Sequence, residues 1–163
     1  FLRDKSLADD FTGTFAVVKD AYQKLKDSFS SLDTVCCIYA TAPLLKAKHL
    51  QEAYNLMQNA HAKSVISICE FPFPIQRAFV KDDNGNLSYR EPKFAPMRSQ
   101  DLQKCYQDCG LFYFYDKSCF EYAKDYQSIG YAMPRHRVID IDTPEDWDYA
   151  CAMAKAVEEL KLD

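Results

Sequence analysis

Long hydrophobic runs are missing from this sequence. No apolar stretch approaches the roughly 20 residues that span a bilayer, so membrane insertion is not expected. Clustered positive charge is missing too: 20 Lys and Arg stand against 24 Asp and Glu, for a net charge of −4. The basic residues are scattered, which argues against a protein that tracks along nucleic acid but leaves room for a small anionic substrate gripped by a few arginines. Histidine is scarce, with His49, His61 and His136 far apart, and no Ser/His/Asp or Cys/His arrangement is legible, so nucleophilic catalysis has no support. The seven cysteines, Cys36, Cys37, Cys69, Cys105, Cys109, Cys119 and Cys151, are odd in number and show no CxxC spacing. A reduced, cytoplasmic protein fits that usage best. Cys105 and Cys109 could share a helical face as metal ligands, but with no histidine beside them they read as small apolar residues. Repeats, low-complexity tracts and a second domain are absent, and 163 residues suffice for one core. An initiator methionine and a signal-like pattern are also lacking, and Phe1-Leu2-Arg3-Asp4 reads like the middle of a loop, so a preceding segment is expected.

What is present has the rhythm of an α/β protein. Thr12 or Thr14 can cap a helix through Phe15, Val18, Tyr22 and Leu25, whose apolar residues recur at three and four, with residues 28–31 ending it. Val35-Cys36-Cys37-Ile38-Tyr39 is nearly continuous in apolar residues, as for a parallel strand buried on both faces, and Thr41-Ala42-Pro43 stops it. A helix over 46–59 and a buried strand over 64–69 complete the order of a βαβ crossover. The prolines of Glu70-Phe71-Pro72-Phe73-Pro74 then break the chain, and 76–81 and 87–90 flank Asp82-Asp83-Asn84-Gly85-Asn86, a strong hairpin signal. Leu111-Phe112-Tyr113-Phe114-Tyr115 predicts another buried strand, residues 118–125 a short helix, and 137–141 a final strand. Thr143-Pro144-Glu145-Asp146 opens a C-terminal helix running to about Leu160, with a cap, an early proline and acids that suit the helix dipole.

Three clusters can carry chemistry. Residues two apart on a strand face the same way, so Asp140 and Asp142 at a strand's C-terminal end can grip one hard cation; Asp142 can equally help cap the last helix. Arg98-Ser99-Gln100-Asp101 forms a polar knot beyond the hairpin, and the planar fork of Arg98 or of Arg77 suits a carboxylate, with solvated surface charge the plain alternative. Arg3 with Asp9-Asp10-Phe11-Thr12-Gly13-Thr14 offers hydroxyls and backbone N–H groups at a helix start, where an anion or a base edge can dock, although helix capping explains the threonines as well.

In order and spacing these clusters resemble the CMP-sugar synthetases, the acylneuraminate cytidylyltransferase family. Arg3 with Leu7-Ala8-Asp9 through Thr14 resembles the family's nucleotide-contacting segment, Tyr39-Ala40-Thr41-Ala42-Pro43-Leu44 its post-strand loop, Arg98-Ser99-Gln100-Asp101-Leu102 its sugar-side loop, and Ile139 to Asp146 its metal strand. The likeness covers essentially the whole chain. Tyr39 stands where the sialic acid branch carries glutamine; the branch acting on pseudaminic acid is similar here, at Phe73-Pro74-Ile75-Gln76-Arg77-Ala78, and at Tyr106-Gln107-Asp108-Cys109-Gly110 with Phe112-Tyr113.

The resemblance implies a Rossmann-like, mainly parallel sheet with flanking helices, and a hairpin excursion over residues 71–106 that reaches a second subunit in a homodimer. It implies transfer of CMP from CTP to a nine-carbon acidic sugar, with N-acylneuraminate as the alternative acid. It also implies magnesium on Asp140 and Asp142 as the catalytic pair, Arg3, Thr12, Thr14, Tyr39 and Thr41 around the nucleotide, and Arg77, Arg98, Gln100 and Asp101 on the sugar side. The family's first strand and its Gly/Ser/Lys/Arg-rich triphosphate loop are expected upstream of Phe1, so residues 1–163 would form a nucleotidyltransferase domain lacking that segment and turning over weakly alone. A non-catalytic module that dimerises through the hairpin is the reading from another class.

Overall fold

The computed structural model describes residues 1–29, 31–122 and 126–162. Strands β1 (Thr34–Ile38), β2 (Ser64–Glu70), β3 (Phe79–Lys81), β4 (Leu87–Tyr89), β5 (Tyr106–Asp116) and β6 (Ser128–Ala132) alternate with helices α1 (Thr14–Leu25), α2 (Ala47–Asn59), α3 (Ser118–Glu121) and α4 (Pro144–Glu159). Among the described residues, β1, β5, β2 and β6 form one sheet in that order, and β3 and β4 pair separately as the expected hairpin. In the hairpin turn Asp82 accepts from the N–H groups of Asn84 and Asn86 at 3.0 and 2.8 Å, and Gly85 takes a φ of 86° that other residues avoid.

The expectation of a mainly parallel sheet is corrected. β5 pairs antiparallel with both β1 and β2, and only β2 with β6 is parallel. The reason lies in the connection: β5 follows a hairpin excursion, not a crossover helix, so it enters the sheet from the opposite end and lies between β1 and β2. β1 and β2 still run in one direction, but α2 carries the chain past an intervening strand.

Strand β5 builds the core. Its side chains alternate, sending Phe112 and Phe114 towards Ala53 and Met57 of α2, and Tyr113 and Tyr115 towards Val18 and Tyr22 of α1 and Phe120 of α3. Full burial of a side chain such as Phe112 contributes about 1.5–3 kcal/mol. By contrast β1, at the edge of this sheet among the described residues, is not buried on both faces as its apolar run suggested, since Cys36 and Ile38 are exposed.

Three further expectations change. Neither Thr12 nor Thr14 caps α1; Gly13 holds the cap position and Thr14 is the first helical residue. Residues 137–141 do not form a strand: a 3-10 turn occupies Arg135–Arg137 and the chain beyond it is unpaired. The strand that pairs in parallel with β2 is β6, hidden in sequence by Gly130, which lies under Ile68 so closely that an added Cβ would stand 2.2 Å from its Cδ1. Helix α3 ends earlier than expected within the described residues, and residues 123–125 of the expected span lie outside them, as does residue 30 of the expected helix stop.

Candidate functional site

β1, β2 and β6 point their C-terminal ends the same way, and β5 begins at that edge, where ligands of open α/β sheets bind. The register of β5 against β2 slips there, with Ile66 opposite Tyr113 but Ile68 opposite Asp108. Gly110, at a φ of 61°, makes the bulge possible, and the slip leaves the Phe112 N–H without a ladder partner, so it donates to the buried Ser67 Oγ at 3.1 Å. Asp108 folds back over the bulge. Its Oδ1 accepts from the Gly110 N–H at 2.9 Å, and both carboxylate oxygens lie 2.9 Å from the Tyr113 hydroxyl that donates to them. Burial, then the bond to Asp108, pushes the Tyr113 hydroxyl far above its ordinary value.

The bulge brings sequence-distant residues together. The Tyr39 and Tyr113 rings lie with centroids 5.5 Å apart, and the Tyr39 hydroxyl is hydrogen-bonded to Thr14 Oγ1. Tyr39 follows β1 directly and Thr14 starts α1, so the start of the helix and the post-strand loop meet here. Thr41 sits half-buried in the turn just beyond. Arg3 is exposed near Asp9, whose carboxyl is held below its ordinary value chiefly by the Phe11 N–H and the Thr12 hydroxyl and N–H. Because Asp9 Oδ1 accepts from the N–H groups of Phe11 and Thr12 at 2.8 and 2.6 Å, those amides are already engaged, and an anion there meets Arg3 and the side chains instead.

On the other side of the edge, Phe71 to Pro74 separates two clefts. One, of about 410 Å³, is lined by Arg77, Phe79, Tyr89 and Ser99; the second, of about 310 Å³, by Ser99, Gln100 and Lys104. Arg77 Nη1 donates to Ser99 Oγ at 3.3 Å, which aims it into the first cleft. Arg98 is engaged differently: Nε and Nη2 donate to the Asp101 carboxylate at 2.7 and 3.1 Å in an exposed pair. The base of this arm is stapled by the buried Gln76, whose Nε2 donates to the Gln103 carbonyl at 2.7 Å and lies 3.3 Å from Cys105 Sγ. The helix on which Cys105 and Cys109 could share a face is absent: Cys109 lies in β5, buried in the core where desolvation pushes its thiol up to about 12, and Cys105 precedes that strand half-buried.

Asp140 and Asp142 lose the strand expected to place them on one face, but both stay at the surface. Ile139 is buried and Ile141 half-buried against Leu44 and Ala150, while both aspartates are exposed. The buried Arg137 donates to the Leu44 carbonyl at 3.0 Å, pinning this segment beside the post-strand loop. Asp142 is not the helix cap. Thr143 caps α4 in a capping box with Asp146, whose Oδ2 also accepts from the Asp142 N–H at 3.1 Å, so the Asp142 carboxylate stays outside the cap. Two exposed carboxylates suit magnesium, which takes one or two acids and completes its shell with phosphate oxygens and water. Among the described residues no group of three or more His, Cys, Asp or Glu could hold a metal.

Sequence reasoning gave no individual role to Asp108, Tyr113 or Arg135. Arg135 lines a cleft of about 450 Å³ with Glu70, Tyr106 and Met133 at the ends of β2 and β6. Its signal was the Pro134-Arg135-His136-Arg137 run after a strand; that of Asp108 was the glycine two residues on, in an otherwise apolar strand.

The comparisons with known proteins fit this geometry. The chain is 39% identical, over a 163-residue alignment spanning 98% of it and 70% of the relative, to the pseudaminic acid cytidylyltransferase of Campylobacter jejuni subsp. jejuni serotype O:2, and equally to that of serotype O:23/36. A Helicobacter pylori protein named pseudaminic acid cytidylyltransferase and UDP-2,4-diacetamido-2,4,6-trideoxy-beta-L-altropyranose hydrolase is 33% identical over 113 residues, covering 69% of this chain and 21% of that protein. No protein-family model matches. Among solved structures, the 4-diphosphocytidyl-2C-methyl-D-erythritolsynthase of Anaerococcus prevotii shares the fold, with a TM-score of 0.52 at 15% identity, over 83% of this chain and 64% of that one. On identity that runs from the Arg3 segment to the Asp140–Asp142 segment, the chain belongs to the pseudaminic acid cytidylyltransferase family.

Proposed function

We propose that this protein transfers CMP from CTP to pseudaminic acid and releases pyrophosphate. The observation that carries the reading is the 39% identity across 98% of the chain to proteins of that name. The meeting of Thr14 with Tyr39 at the ligand edge of the sheet supports it.

In this reading Arg3, Thr12, Thr14, Tyr39 and Thr41 hold the cytidine end of CTP. Arg77 and Gln100 face clefts beside the arm and hold the acid sugar, Arg77 as the partner of its carboxylate; Arg98 and Asp101 contribute as a pair already bound to each other. Asp140 and Asp142 hold magnesium, which when bound neutralises charge on the phosphate oxygens. A sugar hydroxyl oxygen attacks the α-phosphorus in line, the bond to the bridging oxygen of the β-phosphate breaks, pyrophosphate departs with that electron pair, and the hydroxyl proton passes to solvent. The chain's residues contribute position and fixed charge, and no covalent intermediate forms.

Two further parts belong to this proposal. The hairpin exposes Phe79, Val80 and Leu87 at 54%, 50% and 63%, an apolar strip suited to a second copy in a homodimer. The free cysteines suit the reducing cytoplasm, and among the described residues no helix is long and apolar enough to cross a membrane.

Pyrophosphate release from CTP and magnesium, measured with pseudaminic acid and with N-acetylneuraminic acid, tests the reading. Turnover with the first acid at a higher kcat/KM is expected. Preference for the second, or no release with either, overturns it.

A further inference from the structure

A strand inside a sheet is fixed along its length by its ladder, and the stretch that carries Asp140 and Asp142 has none: residues 138–141 pair with no strand among the described residues. Its polar anchors lie at its two ends. At one end the Asp142 N–H donates to Asp146 Oδ2 at 3.1 Å, inside the capping box that starts α4. At the other, Arg137, only 2% exposed, sends Nη2 to the Leu162 carbonyl at 2.6 Å, just past the end of α4, and Nη1 to the Leu44 carbonyl at 3.0 Å. The stretch is thus laced to both ends of one helix. Helix α4, at 16 residues, is about 24 Å long, whereas the chain from Arg137 to Thr143 covers about 9 Å if coiled and about 20 Å if extended. Even with the reach of an arginine side chain, the stretch has to be drawn out. Ile139 and Ile141 hold it against Leu44, Ala150 and Val157, but apolar contacts are non-directional and do not stop it sliding. A buried guanidinium also carries a desolvation penalty that an aliphatic strut would avoid, and here its Nε has no hydrogen-bond partner. What the arginine adds is direction.

We propose that Arg137 is a positioning residue that keeps the Asp140–Asp142 stretch drawn out beside the post-strand loop, so that both carboxylates meet one divalent cation next to the bound nucleotide. The proposal rests on the reading that Asp140 and Asp142 hold magnesium and that Thr41 faces CTP. Leu44 lies three residues past Thr41, so the bond to its carbonyl sets the acid pair against the loop that carries Thr41. In an extended chain residues two apart point the same way, whereas a coiled one turns them apart. Releasing the Arg137 end therefore lets the two carboxylates separate, and a cation loses one of its two acids for part of the time. The loss falls on cation affinity and is made good when the cation is abundant. Arg137 is buried with its donors turned to the Leu44 and Leu162 carbonyls, so its effect passes through the backbone it ties.

The test uses Arg137→Met and Arg137→Lys in the full-length protein, with manganese(II) standing in for magnesium. Its binding in the presence of CTP is followed by water-proton relaxation, which separates ion held on the slowly tumbling protein from ion on free CTP. Arg137→Met keeps the bulk of the stem and removes both donors; Arg137→Lys keeps the charge and reaches one carbonyl. Groups that orient metal ligands from behind are worth about 10–100-fold in metal affinity, so the Kd for manganese should rise about tenfold or more in Arg137→Met and less in Arg137→Lys. In pyrophosphate release, the magnesium concentration giving half the maximal rate should rise by the same factor, with the rate at saturating magnesium within about threefold of the parent. A merely structural role lowers the melting temperature and leaves the manganese Kd, measured well below the melt, where it was; that result overturns the proposal, as does failure of both variants to fold. If Arg137→Met alone fails to fold, Arg137→Lys decides by the same two readouts. A parent protein that binds manganese no better than its Asp142→Ala variant overturns the acid-pair reading, and the positioning role with it.

Discussion

The two sides of the site are built in different ways. On the proposed nucleotide side, Thr14, Tyr39, Asp108 and Tyr113 arrive from positions up to 99 residues apart in sequence and meet through ring contact and hydrogen bonds at the β5 bulge. On the proposed sugar side, Arg98 and Asp101 are three residues apart across a 3-10 turn and pair with each other in the open, and Arg77 donates to the Ser99 hydroxyl. The first arrangement is fixed by folding before any ligand enters. The second leaves long cationic side chains with rotamer freedom that a ligand must freeze, so in the proposed reading a sugar carboxylate would do part of the ordering itself. Asp140 and Asp142 lie with the first kind, since the alternating isoleucines and the Arg137 bond to the Leu44 carbonyl hold their backbone.

The largest break in this comparison comes from the acid pair. Asp142→Ala removes a carboxylate that the α4 cap does not use, so magnesium-dependent turnover in the full-length protein should fall by about 100-fold or more, since the charge neutralisation lost is several kcal/mol. The melting temperature should stay within about 2 °C of the parent, because an exposed side chain outside a capping box carries little stability. Loss of folding with the melt, and no separate effect on magnesium dependence, would return Asp142 to a capping role. Arg77→Ala comes next. A charge-assisted bond to a carboxylate is worth about 1.5–3 kcal/mol, so KM for the acid sugar should rise about 10- to 150-fold while KM for CTP holds. Steady-state kinetics with each substrate varied in turn checks the split; equal rises in both would mean that Arg77 shapes the whole edge and does not bind the sugar side alone.

Much of this layout was legible beforehand, and what escaped had physical causes. Helices α1, α2 and α4, the hairpin and the buried run of β5 follow from periodicity and turn chemistry, which are local. The direction of β5 is not local: nothing in Leu111 to Tyr115 records that the chain returns from a hairpin excursion and not from a crossover helix. β1 and β2 look alike in sequence, but burial depends on what packs over each face: Val65 of β2 lies in one cluster with Ala53 and Met57 of α2, while Cys36 and Ile38 of β1 stay exposed. β6 was missed because Gly130 counts against a strand until Ile68 is seen lying across it. For the site, Thr14, Tyr39, Arg77, Asp140 and Asp142 were named from resemblance and helix-start or strand-end chemistry. The contacts of Asp108 with Gly110 and Tyr113 were not legible, because they depend on a register slip that exists only once β5 meets β2.

The smallest effect belongs to the open side. Arg98 and Asp101 make a two-pronged ion pair at 2.7 and 3.1 Å, geometry that in a buried setting would mark a strong interaction. Here the Arg98 and Asp101 side chains are 72% and 43% exposed, so water competes for both partners and the pair must hold two flexible side chains in one conformation. Arg98→Ala should therefore change stability by only about 0.2–1 kcal/mol in urea titrations, and the difference from the parent should shrink as salt is raised towards about 1 M, where the screening length drops to about 3 Å. If instead the loss exceeds about 2 kcal/mol and survives high salt, the pair is a fixed strut of the arm. The sugar side would then be as rigidly prepared as the nucleotide side, and the contrast between them would fail.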